Sequence, residues 1–296
     1  MVKARQKKER QKNKRLGREK VSYYSSDFDM KKMSDVYSGL SGIQLPIPKY
    51  LYPPPFENAS RLTYYSSLFN SIEINSSFYK IRQAATVTKW DASVSERFRF
   101  TFKLWKGITH NKDLHFNNED VAAFLASINA IKEKKGCLLV QFPPSLGIEN
   151  TAQLDKLLNC INQINTAHPW KIAVEFRNKS WYHENVYDLL SFYKAAIVIQ
   201  DIPNSATPFL NHKSDFMYIR FHGPKGNYRD SYSDDFLHEY ATYFNEWIEQ
   251  GKTIYVYFNN TMGDALNNLK TLNGLMDDKI SNSKPHWRIE QSSNSM

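Results

Sequence analysis

Short β-rich runs alternate with longer stretches of helical character along most of this chain, and this alternation constrains the fold more than any other feature. Eight runs rich in β-branched and aromatic residues can be recognised. They are Asp35–Leu40, Phe69–Asn75, Phe98–Lys103, Cys137–Phe142, Lys171–Arg177, Ala195–Asp201, Phe216–His222 and Thr253–Asn259. Strands that alternate with helices form parallel sheets, because a parallel pair needs a long crossover connection. The pattern predicts an α/β fold on an eight-stranded parallel sheet.

Seven of the stretches between these runs are predicted to be helices. They are Ala59–Leu68, Ala85–Ser95, Asn118–Lys134, Thr151–Thr166, Trp181–Lys194, Asp234–Gln250 and Asp264–Leu275. In the third, Val121, Phe124 and Ile128 recur at the spacing of one helical face, which is typical of a helix packed on a sheet. Residues 202–214 are predicted to be a loop, because they contain two prolines and no helical pattern.

The absence of phosphate-binding motifs favours a closed barrel over an open sheet. Neither GxGxxG nor GxxxxGK[ST] follows an early strand, and these motifs mark the common nucleotide-binding open sheets. The predicted fold is therefore a (β/α)₈ TIM barrel formed by one domain, residues 35–276. Residues 1–34 are predicted to be a disordered basic extension, and residues 277–296 a polar C-terminal tail.

The positive charge of the chain is concentrated at its start. Residues 1–20 contain ten Lys or Arg and two Glu, a net charge of +8, which leaves about +1 of the total of +9 for the rest. A basic tail on a nearly neutral body favours weak, salt-dependent contact with polyanions over a dedicated nucleic-acid groove. No run approaches the roughly 20 apolar residues that span a bilayer, and the first residues lack the apolar segment expected of a secretory signal. We expect a cytoplasmic protein with no membrane contact.

Strand parity predicts which side chains enter the barrel, because alternate residues of a strand face opposite sides. One parity is strongly apolar and is expected to contact the helices, as in Phe98, Phe100 and Phe102. The other places polar groups near the carboxyl ends of seven strands. Its members are Glu73, Asn75, Thr101, Lys103, Leu139, Gln141, Glu175, Arg177, Ile199, Asp201, Arg220, His222, Tyr257 and Asn259. Barrel enzymes build their active sites at this end.

Four of these residues are candidates for catalysis: Glu73, Glu175, Lys103 and His222. The two glutamates can divide acid and base roles if their surroundings separate their pKa values. Alternatively, they form ion pairs that close the barrel, since buried charges require partners. Lys103 can form a Schiff base if it is desolvated beside another cation.

The remaining candidates are expected to bind substrate through charge, amide groups or ring stacking. They are Asn75, Tyr79, His110, Gln141, Arg177, Trp181, Asp201, Arg220, Tyr257 and Asn259. The stretch 222–227 is either a phosphate-binding loop or an ordinary turn. Carboxylate and imidazole side chains also permit a metal site, but their spacing is not diagnostic, so we assign no metal and leave the cofactor open.

Several blocks of this sequence resemble a known family. They include Phe69–Tyr79, Gln141–Ser145, Val174–Arg177 and Arg220–Pro224, and their order and spacing are similar to those of the YecE-like family of TIM-barrel proteins. The resemblance covers nearly all of residues 35–276. It implies the fold and the position of the pocket, and the family has no agreed reaction from which residue roles could be transferred.

Two functional hypotheses follow. The first is an enzyme, whether hydrolase, isomerase or lyase, that acts on a small polar metabolite, sugar-like or phosphorylated, by carboxylate acid/base chemistry at the barrel mouth. The alternative is a nucleic-acid-associated protein that uses the basic tail for affinity and the aromatic mouth to hold a base or sugar.

Overall fold

A computed structural model describes residues 36–166, 168–208 and 214–282, with side chains up to residue 277. It contains eight parallel strands, of which seven lie within their predicted runs and the fourth begins two residues before its run. They are β1 (Val36–Leu40), β2 (Ser71–Ile74), β3 (Arg99–Lys103), β4 (Lys135–Gln141), β5 (Lys171–Glu175), β6 (Ala196–Gln200), β7 (Phe216–Phe221) and β8 (Thr253–Phe258). The eight-stranded α/β barrel is confirmed.

Helices follow most strands. Within the described residues the α-helices are α1 (Arg61–Ser66), α2 (Ser76–Tyr79), α3 (Ala84–Ala92), α4 (Lys106–Thr109), α5 (Asn118–Ile128), α6 (Thr151–Ile164), α7 (Glu184–Phe192), α8 (Asp234–Glu249) and α9 (Ala265–Asn282). All seven predicted helices are present, and the one-turn helices α2 and α4 are additional. In the described part of 202–214 there is no helix, in agreement with the predicted loop.

The strands pair in the order β1-β8-β7-β6-β5-β4-β3-β2, and hydrogen bonds from one side chain and from the backbone complete the closure between β1 and β2. The Tyr65 hydroxyl accepts a hydrogen bond from Leu40 N (2.8 Å) and donates to Ser71 O (2.9 Å), so it joins the two strands. Gly39 allows their close approach, because a Cβ there would lie 2.1 Å from Ser71 O. At the mouth, Gly42 N donates directly to the carbonyl of Glu73 (2.9 Å).

Two apolar clusters lie on the two faces of the sheet. The larger packs between sheet and helices and contains the predicted outward residues, such as Phe100 and Ile219. The smaller fills the barrel interior with Cys137, Leu139, Ala173, Ala196, Val198, Phe216, Tyr218, Tyr255 and Tyr257. For β4, β5, β7 and β8, which supply residues to both clusters, the predicted inward and outward sides are confirmed.

The parity predicted for β6 is wrong by one residue. Ile199 belongs to the helix-facing cluster and pairs with Ile219, whereas Val198 lies in the barrel interior. Because β6 is apolar on both faces, alternation does not show which of its residues face the barrel interior. The polar residue Asp201 does not show it either, because it follows the end of the strand. Gln200, which pairs with Arg220, is the last inward residue of β6.

The final helix extends further than expected. It continues to Asn282, past the predicted end of the domain at residue 276, because no glycine or proline interrupts the sequence after Gly274 until beyond that point. The predicted N-terminal extension, residues 1–34, and residues 283–296 lie outside the described residues. None of the described helices has the length and apolar character of a bilayer span.

Candidate functional site

Arg220 bridges the two candidate catalytic carboxylates inside the barrel mouth. Its Nε and Nη2 donate to the two oxygens of Glu73 (2.9 and 2.7 Å), and its Nη1 donates to Glu175 Oε2 (2.6 Å). Parity therefore correctly predicted that these three residues meet. All three side chains are fully buried, and the paired charges satisfy one another in the way that burial requires.

Each carboxylate has a second set of donors. Glu73 also accepts hydrogen bonds from the hydroxyl groups of Ser41 (2.7 Å) and Tyr218 (2.5 Å), so each of its two carboxylate oxygens accepts two hydrogen bonds. Glu175 Oε1 accepts from Arg177 Nε. We call Glu73, Glu175, Arg177, Arg220 and His222 the arginine network.

The arginine network keeps both glutamates ionised. Burial alone would raise the pKa of Glu73, but the charge and hydrogen bonds of Arg220 lower it below its usual value. For Glu175, the effect of burial is likewise outweighed by the charges of Arg177 and Arg220, so its pKa is also low. Both groups are therefore carboxylates at neutral pH, as in the ion-pair alternative.

His222 is a neutral acceptor in this network. Burial lowers the pKa of its imidazole. Its Nε2 faces donors from Arg177 (3.0 Å) and Arg220 (3.1 Å), which assigns the proton to Nδ1, 3.2 Å from Asp201 Oδ1. Asp201 also accepts from the Tyr232 hydroxyl. The ring is held in one tautomer by charged groups on both sides.

Lys103 lies at the end of β3 and is bonded differently. Its Nζ forms no hydrogen bond or ion pair with any residue that the structure describes; its close contact is the ring of Phe78, whose centroid is 4.1 Å away. Burial and the positive charge of Arg220 lower the pKa of Lys103 to about 7. At neutral pH this amine is therefore partly uncharged.

Local structure fixes Phe78 beside Lys103. Helix α2 begins directly after β2, and its Ser77 hydroxyl lies within hydrogen-bond distance of the carbonyls of Ile74 (2.6 Å) and Lys103 (2.7 Å). This fastens the helix to the ends of two neighbouring strands. Asn75 precedes the helix, and its buried Oδ1 has no hydrogen-bond partner among the described residues.

His110 contacts the same aromatic ring. Its imidazole lies 4.9 Å from the Phe78 ring, edge to face, and its Nδ1 is 2.8 Å from the Thr109 hydroxyl. Burial and then the charge of Lys103 lower the pKa of His110 to about 4, so the ring is neutral at physiological pH. We call Asn75, Phe78, Lys103 and His110 the lysine cluster.

Several predicted substrate-binding residues lie apart from both groups. The Trp181 ring is fully buried in the helix-facing core, 4.8 Å from Phe176, and its indole donates to Leu146 O (2.7 Å). Tyr257 points into the barrel interior, with its hydroxyl bonded to Ser71 (2.6 Å) and Thr101 (2.8 Å). Neither side chain reaches the arginine network or the lysine cluster by a described contact.

Three further predicted substrate-binding residues, one of which contacts the lysine cluster, lie at the rim or at the strand ends. Tyr79 is 69% exposed, with its ring against Phe78. Gln141 is buried at the end of β4 and donates to Phe142 O (2.8 Å). Asn259 follows β8, and its backbone amide is bonded to Phe221 O (2.7 Å).

In the loop after β7, three backbone amides donate hydrogen bonds within the protein, as in an ordinary turn. Gly223 N donates to the Tyr232 hydroxyl (2.6 Å), Gly226 N to Gly223 O (2.7 Å) and Tyr228 N to His222 O (2.7 Å). These amides are used within the protein, so they do not form a cradle for phosphate. Of the two alternatives for this loop, the ordinary turn is favoured.

Three residues of the site were missed by sequence reasoning. Ser41 and Tyr218 bond Glu73, and Tyr232 bonds Asp201. Parity could have identified Tyr218, which shares a face with Arg220 two residues later. Tyr232 belongs to a loop, where no periodic signal exists.

The described residues contain no group of three or more His, Cys, Asp or Glu side chains suited to hold a metal ion. Among the carboxylates at the mouth, those of Glu73 and Glu175 are hydrogen-bonded to arginines, and that of Asp201 to His222 and Tyr232. The chemical capacity of the mouth therefore lies in fixed charges, one amine and two neutral imidazoles.

The chain is similar in sequence to proteins designated UPF0759. The UPF0759 protein YunF of Bacillus subtilis is 31% identical over 268 residues, which cover 79% of this chain and 93% of YunF. The UPF0759 protein YecE of Escherichia coli is 26% identical over 106 residues, 36% of this chain and 39% of YecE.

Crystal structures of similar proteins have the same fold. One is a DUF72 family protein from Enterococcus faecalis, with a TM-score of 0.67 and 25% identity, covering 82% of this chain and 97% of that one. Another, from Thermotoga maritima, has a TM-score of 0.65 and 25% identity, covering 82% and 99%. Residues 37–290 match the family described as "Protein of unknown function DUF72", and the chain belongs to this family.

Proposed function

We propose that this protein is an enzyme that binds a small polar metabolite at the barrel mouth and uses the lysine cluster for its chemistry. The observation that carries the proposal is the contrast in bonding at the mouth. Beside a network whose charges are all paired, Lys103 Nζ and Asn75 Oδ1 have no hydrogen-bond partner among the described residues. Unpaired polar groups in a partly buried position are costly to a fold and are typical of a binding site.

The carboxylates receive a different role from the one expected from sequence. Glu73 and Glu175 have lowered pKa values and several donors each, which makes them poor proton donors at neutral pH. In this proposal they hold Arg220 and Arg177 in place. Proton transfer falls to Lys103, whose pKa of about 7 lies near physiological pH, whereas His110, with a pKa of about 4, stays neutral and serves as a hydrogen-bonding group.

The chemistry of the mouth favours a substrate with an anionic group. Arg177 is the arginine of the network that retains some exposure, with 12% of its side chain accessible. Its charge is delocalised over a planar group that binds carboxylate or phosphate in pairs of hydrogen bonds. An anion bound here would lie within the electrostatic influence of Lys103.

Thermal-shift screening tests the proposal. A ligand that binds only the folded state raises the melting temperature, and a concentration of 100 times Kd adds about 2.7 kcal/mol. We expect at least one short sugar, sugar phosphate or organic acid to stabilise the native protein and to stabilise Lys103→Met much less. Lys106→Met is the matched control. If no compound in such a panel stabilises the native protein, the metabolite site is refuted.

A second candidate function rests on the charge of the tail. Residues 1–20 carry +8 while the rest of the chain carries about +1, which favours weak nucleic-acid contact through the tail. Binding of RNA or DNA should be lost on deletion of residues 1–20 and at moderate salt. If the full chain does not bind nucleic acid at low salt, this candidate is eliminated.

A further inference from the structure

We propose that Lys103 forms a covalent imine with a small carbonyl compound, an aldehyde or ketone that carries an anionic group. This inference rests on the proposed metabolite site and specifies its chemistry. It begins from an unusual arrangement: a lysine at the mouth of a barrel that contains two glutamates, yet is bonded to neither of them.

The arginine network explains why Lys103 is left without an ion pair. Arg220 takes one edge of Glu73 with two hydrogen bonds, and Glu175 is shared between Arg220 and Arg177. Hydroxyl groups fill the remaining acceptor positions of Glu73. With the carboxylates occupied in this way, no anion is left in contact with the lysine to hold its proton.

The surroundings of Lys103 disfavour its charged form. On the side of β2 it contacts the Phe78 ring, and the positive charges of Arg220 and Arg177 act on it from β7 and from the end of β5. Glu73 and Glu175 act in the opposite direction but less strongly than burial and Arg220. The pKa of about 7 follows from this balance. A lysine desolvated beside another cation is the recognised arrangement for imine formation.

The chemical step balances with the groups present. The lone pair of the neutral Lys103 amine attacks the carbonyl carbon, and a C–N bond forms while the carbonyl oxygen takes up a proton. The nitrogen gives up one of its two protons in this step, which yields a carbinolamine. The carbinolamine hydroxyl then takes up a proton and leaves as water while the nitrogen lone pair forms the C=N bond, and loss of the second amine proton gives the imine. These protons pass to and from solvent, because the His110 imidazole, which contacts the same Phe78 ring as Lys103, has a pKa of about 4 and is a weak base. No oxidant or reductant is needed.

Reductive trapping provides the direct test. The full chain is incubated at pH 7 with cyanoborohydride and, separately, with pyruvate, glyoxylate, glycolaldehyde and dihydroxyacetone phosphate, and the modified peptide is identified by mass spectrometry. We expect one adduct at Lys103 at carbonyl concentrations that leave other lysines unmodified. The adduct should be absent from Lys103→Met and retained in Lys106→Met. Equal modification of many lysines, with no preference for Lys103, would overturn the imine.

Competitive labelling of the amines separates this inference from the metabolite site itself. Trace acetylation across pH should give a midpoint near 7 for Lys103, well below the ordinary lysine value of 10.5. A midpoint near 10.5 for Lys103 overturns the imine while ligand-induced thermal shifts still support a site. A low midpoint with no trapped carbonyl also overturns the imine and leaves Lys103 as a proton acceptor. Failure of all thermal shifts overturns both.

Discussion

The arginine network and the lysine cluster lie at the same end of the barrel and differ in how their polar atoms are bonded. In the network, both oxygens of Glu73 have two donors each, and Arg220 donates through all three of its nitrogens. In the cluster, Lys103 Nζ and Asn75 Oδ1 find no hydrogen-bond partner in the described part of the chain.

This difference teaches how one barrel mouth can be both rigid and reactive. The hydrogen-bonded charges of the arginine network fix the geometry of the mouth, because removal of any partner would leave a buried charge unpaired. They are poor proton donors and acceptors because their protonation states are fixed. Polar groups without hydrogen-bond partners, as in the lysine cluster, remain available for reaction but lower the stability of the folded protein, as is usual for functional sites. The two regions should therefore respond in opposite directions to the loss of a charge.

The largest effect is expected from Arg220→Met. It leaves Glu73 and Glu175 buried without their shared partner, and breaking a buried ion pair in this way costs about 3–5 kcal/mol. The free energy of unfolding should fall by that amount in urea denaturation. Arg229→Met, which replaces an exposed arginine, is the control.

A compensating variant keeps this test informative if Arg220→Met does not fold. Combining it with Glu73→Gln and Glu175→Gln removes the unpaired charges, so much of the lost stability should return. If the single substitution costs less than about 1 kcal/mol, close to the range of exposed pairs, the network does not hold the mouth together.

In the lysine cluster, loss of a charge is expected to increase the free energy of unfolding. Lys103→Met removes a cation that has no described partner and places an unbranched apolar side chain against Phe78. We expect the free energy of unfolding at pH 6 to rise by roughly 1–3 kcal/mol, since a charged amine no longer has to be desolvated. Ligand response should be lost at the same time. A destabilised Lys103→Met protein would mean that the ammonium is bonded after all.

The pH dependence of this stabilisation follows from the lowered pKa of Lys103. Between about 7 and its usual 10.5, the unfolded chain binds more protons at this residue than the folded protein does, so native stability rises with pH. The advantage of Lys103→Met should be greatest below pH 7 and should shrink towards pH 10. Denaturation of both proteins at pH 6 and pH 9 measures it, and a constant difference would contradict the low pKa.

The sequence predicted the position of these regions better than their bonding. Alternation identified all eight strands, and parity brought Glu73, Glu175 and Arg220 together, because both depend on local periodicity. Which cation binds which carboxylate depends on distances across the barrel, which no local pattern encodes. The same limit explains Trp181, whose place in the helix-facing core is set by stacking on Phe176 after the strand has ended.

The smallest change in the free energy of unfolding is expected at the Tyr65 hydroxyl, which forms hydrogen bonds away from the mouth. Tyr65→Phe removes the hydroxyl that joins Leu40 N to Ser71 O between β1 and β2, and it leaves two buried backbone groups without that partner. We expect a loss of about 1–2 kcal/mol in the free energy of unfolding, because an unsatisfied buried group costs more than an exposed hydrogen bond contributes. Tyr193→Phe, whose hydroxyl bonds Asp155 at the surface, is the matched control and should cost less. If the two substitutions cost the same, the β1–β2 closure does not depend on Tyr65, and Gly39 with the Gly42–Glu73 backbone bond is sufficient to close the barrel.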